Sequence, residues 1–231
     1  MKNVTIALAV SAASASFLAG FYVNKTRVQP YHLITWAERQ IVPFNPESDS
    51  NYRIKTAYLA QYPLTNERAV LLGDSLTAMG NWDRLLDRDD IENLGIEGDT
   101  TVGILDRINE PMPNGAPVFL LAGVNDVNDF ITQAQTLANL RQIVRTLSVS
   151  HKVYLQSTLL TRQPKANPKI AALDAKEKSL CEQERCTFID LNGVLTDGHQ
   201  LSADKTTDGV HLRPAGYRAW ADQIKPLIPN T

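Results

Sequence analysis

The stretch Val70-Leu71-Leu72-Gly73-Asp74-Ser75-Leu76 changes character halfway. Three apolar residues read as a strand buried on both faces, and Gly-Asp-Ser ends the run at once, as turn and helix-capping residues do. Ser75 is then either a cap serine or a side chain presented at the carboxyl end of a strand. The rest of the chain repeats the pattern. Apolar runs at 69–72, 91–94, 117–121, 152–156 and 187–191 alternate with segments of helical period. Those segments are 52–62, ended by Pro63; a short helix with Trp82, Leu85 and Leu86; and 100–108, with Val102, Leu105 and Ile108 on one face. They continue with 131–147, striped by Leu137, Leu140, Val144 and Leu147, then 167–180, with Asn167 as N-cap before Pro168, and 214–224. Residues 192–208 read as a long loop. Such alternation predicts an α/β protein whose five-stranded parallel sheet is covered by helices on both faces.

The chain has 231 residues, 43% hydrophobic and 21% charged, with a formal net charge of -2. This suits one α/β domain with additional chain at an end, and it lacks the basic stripe that nucleic-acid binding calls for. Residues 4–23 carry no charge and lie between Lys2 and the pair Lys25 and Arg27. A run of about twenty apolar or small residues is long enough to cross a bilayer, and Ala13-Ser14-Ala15 fits a cleavage site. Residues 1–27 are therefore expected to be a signal-anchor, preferred because the run continues to Val23, or a cleaved signal peptide. Residues 28–51, with Pro30, Pro43 and Pro46, read as a linker or stalk carrying a short helix around 33–40, and 52–231 as the domain. Export follows, with the domain held at a membrane if the apolar segment stays. Cys181 and Cys186 fit either a disulfide or two free thiols, and two cysteines supply only half of a structural zinc set.

In an open parallel sheet, ligands bind beyond the carboxyl ends of the strands. There the sequence places Gly73-Asp74-Ser75, Gly95-Ile96-Glu97-Gly98-Asp99-Thr100 and Gly123-Val124-Asn125-Asp126, and the last loop ends in Asp208-Gly209-Val210-His211. A serine hydroxyl needs a base to take its proton. His211 is the candidate, because Asp208, three residues earlier, can hold its Nδ1–H as in a Ser-His-Asp arrangement. The backbone N–H groups of Ser75 and Gly98 and the side-chain amide of Asn125 are candidate donors to an oxyanion. Asp74 and Asp126 read as loop scaffolds, and Thr158 and Arg162 as pocket or solvated loop residues. Trp82 and Trp220 read as core, and His32, His151 and His199 as solvated or structural.

The four clusters resemble the signature blocks of the SGNH (GDSL-type) hydrolases, in the family's order, from about Tyr52 onward. The stretch Asn93-Leu94-Gly95-Ile96-Glu97-Gly98-Asp99-Thr100-Thr101 with Leu105-Asp106-Arg107 is most similar to the acylhydrolases related to the platelet-activating-factor acetylhydrolase catalytic subunit. The resemblance implies a flavodoxin-like three-layer α/β/α sandwich, a Ser75, Asp208, His211 triad, an oxyanion hole of Ser75, Gly98 and Asn125, and no metal or organic cofactor. It implies an esterase acting on a small-molecule acyl ester, with a short acyl group such as acetyl on a carbohydrate or lipid as the first expectation. Thioester or lysophospholipid hydrolysis and O-acyl transfer would use the same residues. A membrane-tethered binding module that has lost turnover is the reading from another class. Since the base must be neutral, activity is expected to fall on the acid side of roughly pH 6–7.

Overall fold

Five strands form one parallel sheet: β1 Ala69–Gly73, β2 Ile91–Gly95, β3 Val118–Leu121, β4 Val153–Gln156 and β5 Cys186–Ile189, in the order β2-β1-β3-β4-β5. The structure is a computed structural model and describes residues 45–62, 67–109, 112–113 and 115–229. The expected apolar segment and the helix around 33–40 lie outside the described residues. Among the described residues, no helix is long and apolar enough to cross a membrane.

Successive side chains of a strand point to opposite faces, and β1 divides its residues accordingly. Ala69 and Leu71 join one core cluster with Phe119, Tyr154 and Trp220, while Val70 and Leu72 join another with Val118, Leu120 and Leu155. The first cluster is closed by helices α2 Ser75–Ala78, α3 Trp82–Leu86 and α9 Pro214–Ile224, through Leu76, Trp82, Leu86, Tyr217, Trp220 and Ile224. The second is closed by α4 Thr101–Asp106, α6 Gln133–Leu147 and α7 Asn167–Gln183, through Ile104, Leu140, Ile143, Val144, Leu147 and Leu180. Trp82 and Trp220 are core residues, as expected, and meet edge to face at 4.8 Å.

Several boundaries differ from the sequence reading, each for a local reason. The first described α-helix, α1 Ser50–Gln61, starts before Tyr52 because the Asp49 carboxylate accepts hydrogen bonds from the N–H groups of Asn51 and Tyr52. Asn167 does not cap α7. Its amide is spent on the loop after β4, accepting from Thr161 N–H at 2.9 Å and donating to the Thr161 carbonyl at 2.8 Å, and Ala166 holds the cap position. β5 stops at Ile189 because the Ser157 hydroxyl accepts from the N–H groups of Leu191 and Asn192 and turns the chain into α8 Asn192–Leu195, inside the expected loop. A further helix, α5 Val124–Asn128, follows β3 directly. Cys181, in α7, and Cys186, opening β5, form a disulfide.

Candidate active site

The strand order reverses between β1 and β3, so the chain leaves these neighbours in opposite directions and opens a crevice at their carboxyl ends. Ser75 sits there as the first residue of α2. The cap itself is Asp74, whose Oδ1 accepts from Leu76 N–H at 2.9 Å. Ser75 therefore has no capping role, and its own N–H, at the first helical position, has no carbonyl partner within the helix. Three side chains hold the short helix by its carbonyls. Trp82 Nε1 donates to the Thr77 carbonyl at 2.8 Å, and Tyr217 Oη to that of Leu76 at 2.9 Å. Asn93 Nδ2 donates to the Ala78 carbonyl at 3.1 Å. Gly95 makes the approach possible, since a Cβ there would lie 2.2 Å from the Ala78 backbone nitrogen.

Ser75 Oγ lies 3.1 Å from His211 Nε2, and His211 Nδ1 lies 2.7 Å from Asp208 Oδ2. The loop that carries the last two folds on itself. Asp208 Oδ1 accepts from the N–H groups of Val210 and His211, and Thr206 Oγ1 donates to the His211 carbonyl. Burial would raise the Asp208 carboxyl, but the His211 ring and these two backbone N–H groups outweigh it and hold it at about 2. An ionised carboxylate only accepts, so Nδ1 carries the hydrogen, and in a neutral ring that tautomer turns the lone pair of Nε2 to the serine hydroxyl.

Gly98 follows β2 with φ +77°, a conformation that favours glycine. Asn125 lies in α5, and its Nδ2 donates to the Asp99 carbonyl at 2.8 Å, which leaves the second amide hydrogen unused by that bond. Asp126 is fully buried and ties α5 to α4 and α6. Its carboxylate accepts from Thr101 N–H and Oγ1 and from Thr136 Oγ1, while burial pushes its carboxyl above the ordinary range. Asp74 is buried as well, and desolvation pushes it up to about 7, against the Leu76 N–H bond. Both act as scaffolds, as the sequence suggested.

The structure thus brings Ser75, His211 and Asp208 into one hydrogen-bonded series, with Gly98 in the loop after β2 and Asn125 in α5, the helix after β3. Of the two further pocket candidates, Thr158 is buried and donates to the Ala122 carbonyl. Arg162 packs against the histidine loop, its N–H donating to the Gly209 carbonyl at 2.7 Å. His151 Nδ1 lies 2.9 Å from the Ala116 carbonyl oxygen, away from the site, and His32 lies outside the described residues. Sequence reasoning missed Glu177, fully buried, which accepts from Thr158 N–H at 3.1 Å and whose Oε1 lies 2.7 Å from Thr158 Oγ1. Burial pushes its carboxyl well above the usual range. It missed the role of Arg107 too, whose guanidinium pairs with Asp99 at 3.0 Å with both side chains buried. Among the described residues, no group of three or more His, Cys, Asp or Glu side chains is placed to hold a metal ion.

Residues 71–219 match the family model for GDSL-like lipase/acylhydrolase proteins. No curated protein matches the sequence. Among solved structures, a Streptococcus pneumonia protein provisionally assigned as a platelet activating factor is 24% identical, with a TM-score of 0.69 over 93% of this chain and 98% of that one. A GDSL-like lipase from Bacteroides thetaiotaomicron is 24% identical, with a TM-score of 0.65 over 77% and 96%. An acetyl xylan esterase from Geobacillus stearothermophilus is 19% identical, with a TM-score of 0.59 over 69% and 93%. At these identities the likeness is one of fold: the same sheet with helices on both faces.

Proposed function

The chain belongs to the GDSL-like lipase/acylhydrolase family and is an ester-bond hydrolase, and from that premise we propose that Ser75 is its nucleophile, with His211 as base and Asp208 as the acid that orients it. The observation that carries this reading is the series Ser75 Oγ, His211 Nε2, His211 Nδ1, Asp208 Oδ2, with separations of 3.1 and 2.7 Å. His211 takes the hydroxyl proton as Ser75 Oγ attacks the acyl carbonyl, and returns it to the departing alcohol oxygen. Water then enters the same position and gives a proton to His211 as its oxygen attacks the acyl carbon, and His211 passes that proton to Ser75 Oγ as the acid is released. The oxyanion of each tetrahedral intermediate is bound by Ser75 N–H, Gly98 N–H and the free Nδ2–H of Asn125.

The proposed substrate is a short acyl ester, acetyl or similar, of a carbohydrate or lipid. It is supported by how little chain separates strands from helices at the site. Asp74 alone stands between β1 and α2, and Ala122-Gly123 between β3 and α5, so neither connection inserts a long segment beside the serine. Export of the protein is also proposed, on residues 4–23 and on the Cys181–Cys186 disulfide, which suits an oxidising compartment.

A series of p-nitrophenyl esters of rising acyl length, run beside Ser75→Ala, tests both statements. The account expects kcat/KM to be highest for the acetyl or butyryl ester. It expects Ser75→Ala to lower kcat by about 10⁶-fold, the scale seen when a triad serine is removed. Undiminished turnover by Ser75→Ala would overturn the nucleophile, and a preference for long chains would overturn the substrate class.

A further inference from the structure

The three proposed oxyanion donors come from three different strand ends, and a useful oxyanion site needs them fixed to a few tenths of an ångström. One buried side chain touches the support of all three. Arg107 caps the carboxyl end of α4 and is 4% exposed. Its Nη2 donates to the Leu94 carbonyl at 2.9 Å and to the Gly73 carbonyl at 3.3 Å, at the carboxyl ends of β2 and β1. Its Nε donates to Asp99 Oδ2 at 3.0 Å. Gly73 stands two residues before Ser75, and Asp99 directly follows Gly98. The Asp99 carbonyl is also the acceptor that holds Asn125 Nδ2. Each donor is therefore within two residues, or one hydrogen bond, of an Arg107 acceptor.

Resting on the reading of Ser75, Gly98 and Asn125 given above, we infer that Arg107 is a positioning residue that fixes the three oxyanion donors relative to one another, with Asp99 as its partner. The planar guanidinium suits the task. It meets a carboxylate oxygen and two carbonyl oxygens with a fixed fan of N–H groups, whereas a lysine ammonium is a point charge on a flexible stem. A buried ion pair adds little net stability over a well-packed apolar pair, because both ions lose their hydration. Its contribution here lies in geometry.

The test is turnover per functional serine. Arg107→Lys and wild type are titrated to completion with a fluorophosphonate, so that only molecules with a competent Ser75 are counted, and kcat and KM are measured on p-nitrophenyl acetate. The expected result is a fall of about 10²-fold in kcat per titrated site with KM changed by less than about threefold. Affinity for a trifluoromethyl ketone, which forms the tetrahedral adduct, falls by a similar factor. A purely structural role would instead lower the titratable fraction and Tm, leaving kcat per site unchanged, and that outcome overturns the inference. Lysine can leave Asp99 poorly paired in the interior. The uncharged double variant Arg107→Met with Asp99→Asn is therefore measured in the same way, and wild-type turnover per site in it likewise overturns the inference. Ser75→Ala separates the two levels: if it keeps its esterase activity, the nucleophile reading fails, whatever Arg107 does.

Discussion

Asp74 gives a stability prediction whose sign is opposite to the familiar one for carboxylates. It is fully buried, Oδ1 accepts from Leu76 N–H, and Oδ2 has no hydrogen-bond partner among the described residues. Burial, opposed by that N–H and reinforced by the Asp99 and Asp126 charges, pushes its carboxyl from 3.8 to about 7. Between these two values the folded chain keeps a proton that the unfolded chain has lost. Each pH unit then removes about 1.36 kcal/mol of stability as pH rises. Across the roughly three units involved, Asp74 costs the folded state about 4 kcal/mol, with no further change below about pH 4 or above about pH 7. Asp74→Asn keeps an oxygen for Leu76 N–H but cannot ionise, so its offset from wild type is otherwise constant. Urea unfolding of both proteins at intervals from about pH 4 to about pH 8 isolates this contribution, since groups common to the two largely cancel. The difference in unfolding free energy should move by about 4 kcal/mol in favour of Asp74→Asn over that range. Parallel stability curves would refute the reasoning.

Other perturbations follow from the same contacts. Asn125→Ala removes one oxyanion donor and should lower kcat on p-nitrophenyl acetate by about 10²–10³-fold, with KM little changed. Gly95→Ala places a Cβ 2.2 Å from the Ala78 backbone nitrogen. It should cost about 1–3 kcal/mol in urea unfolding and reduce kcat, because the strain falls on the helix that carries Ser75. Reducing the Cys181–Cys186 disulfide, whose cysteines are 5 residues apart in sequence, should lower stability by only about 2 kcal/mol. Esterase activity should persist in the reduced protein, checked by thiol titration beside a thermal melt.

The parallel sheet was legible because each strand is a short apolar run closed by small or polar residues. The candidate site was legible because three such closures, and the loop that ends in Asp208 and His211, carry the residue types of one chemistry. What escaped was of two kinds. Short helices such as α5 and α8 are stabilised by contacts distant in sequence, for α8 by the Ser157 hydroxyl that turns the chain after β5. Buried polar groups escaped because nothing local marks them. Glu177 sits in a helix among Lys176, Lys178 and other polar residues, and only tertiary structure places it under the Thr158 hydroxyl. Asn167 had a sound local reading as a cap, and lost it to a competing use of the same amide in the loop after β4. Arg107 was visible as part of a motif, but its three acceptors converge only once β1, β2 and α4 are assembled.

The central claim is that Ser75 is activated by His211 and Asp208, and covalent labelling addresses it directly. Wild-type protein is incubated with a fluorophosphonate, digested and mapped by mass spectrometry, with His211→Ala treated in parallel. The account predicts one adduct, on Ser75, formed at a rate that falls steeply in His211→Ala. An adduct on any other residue, or labelling of Ser75 at an equal rate without the histidine, would contradict it.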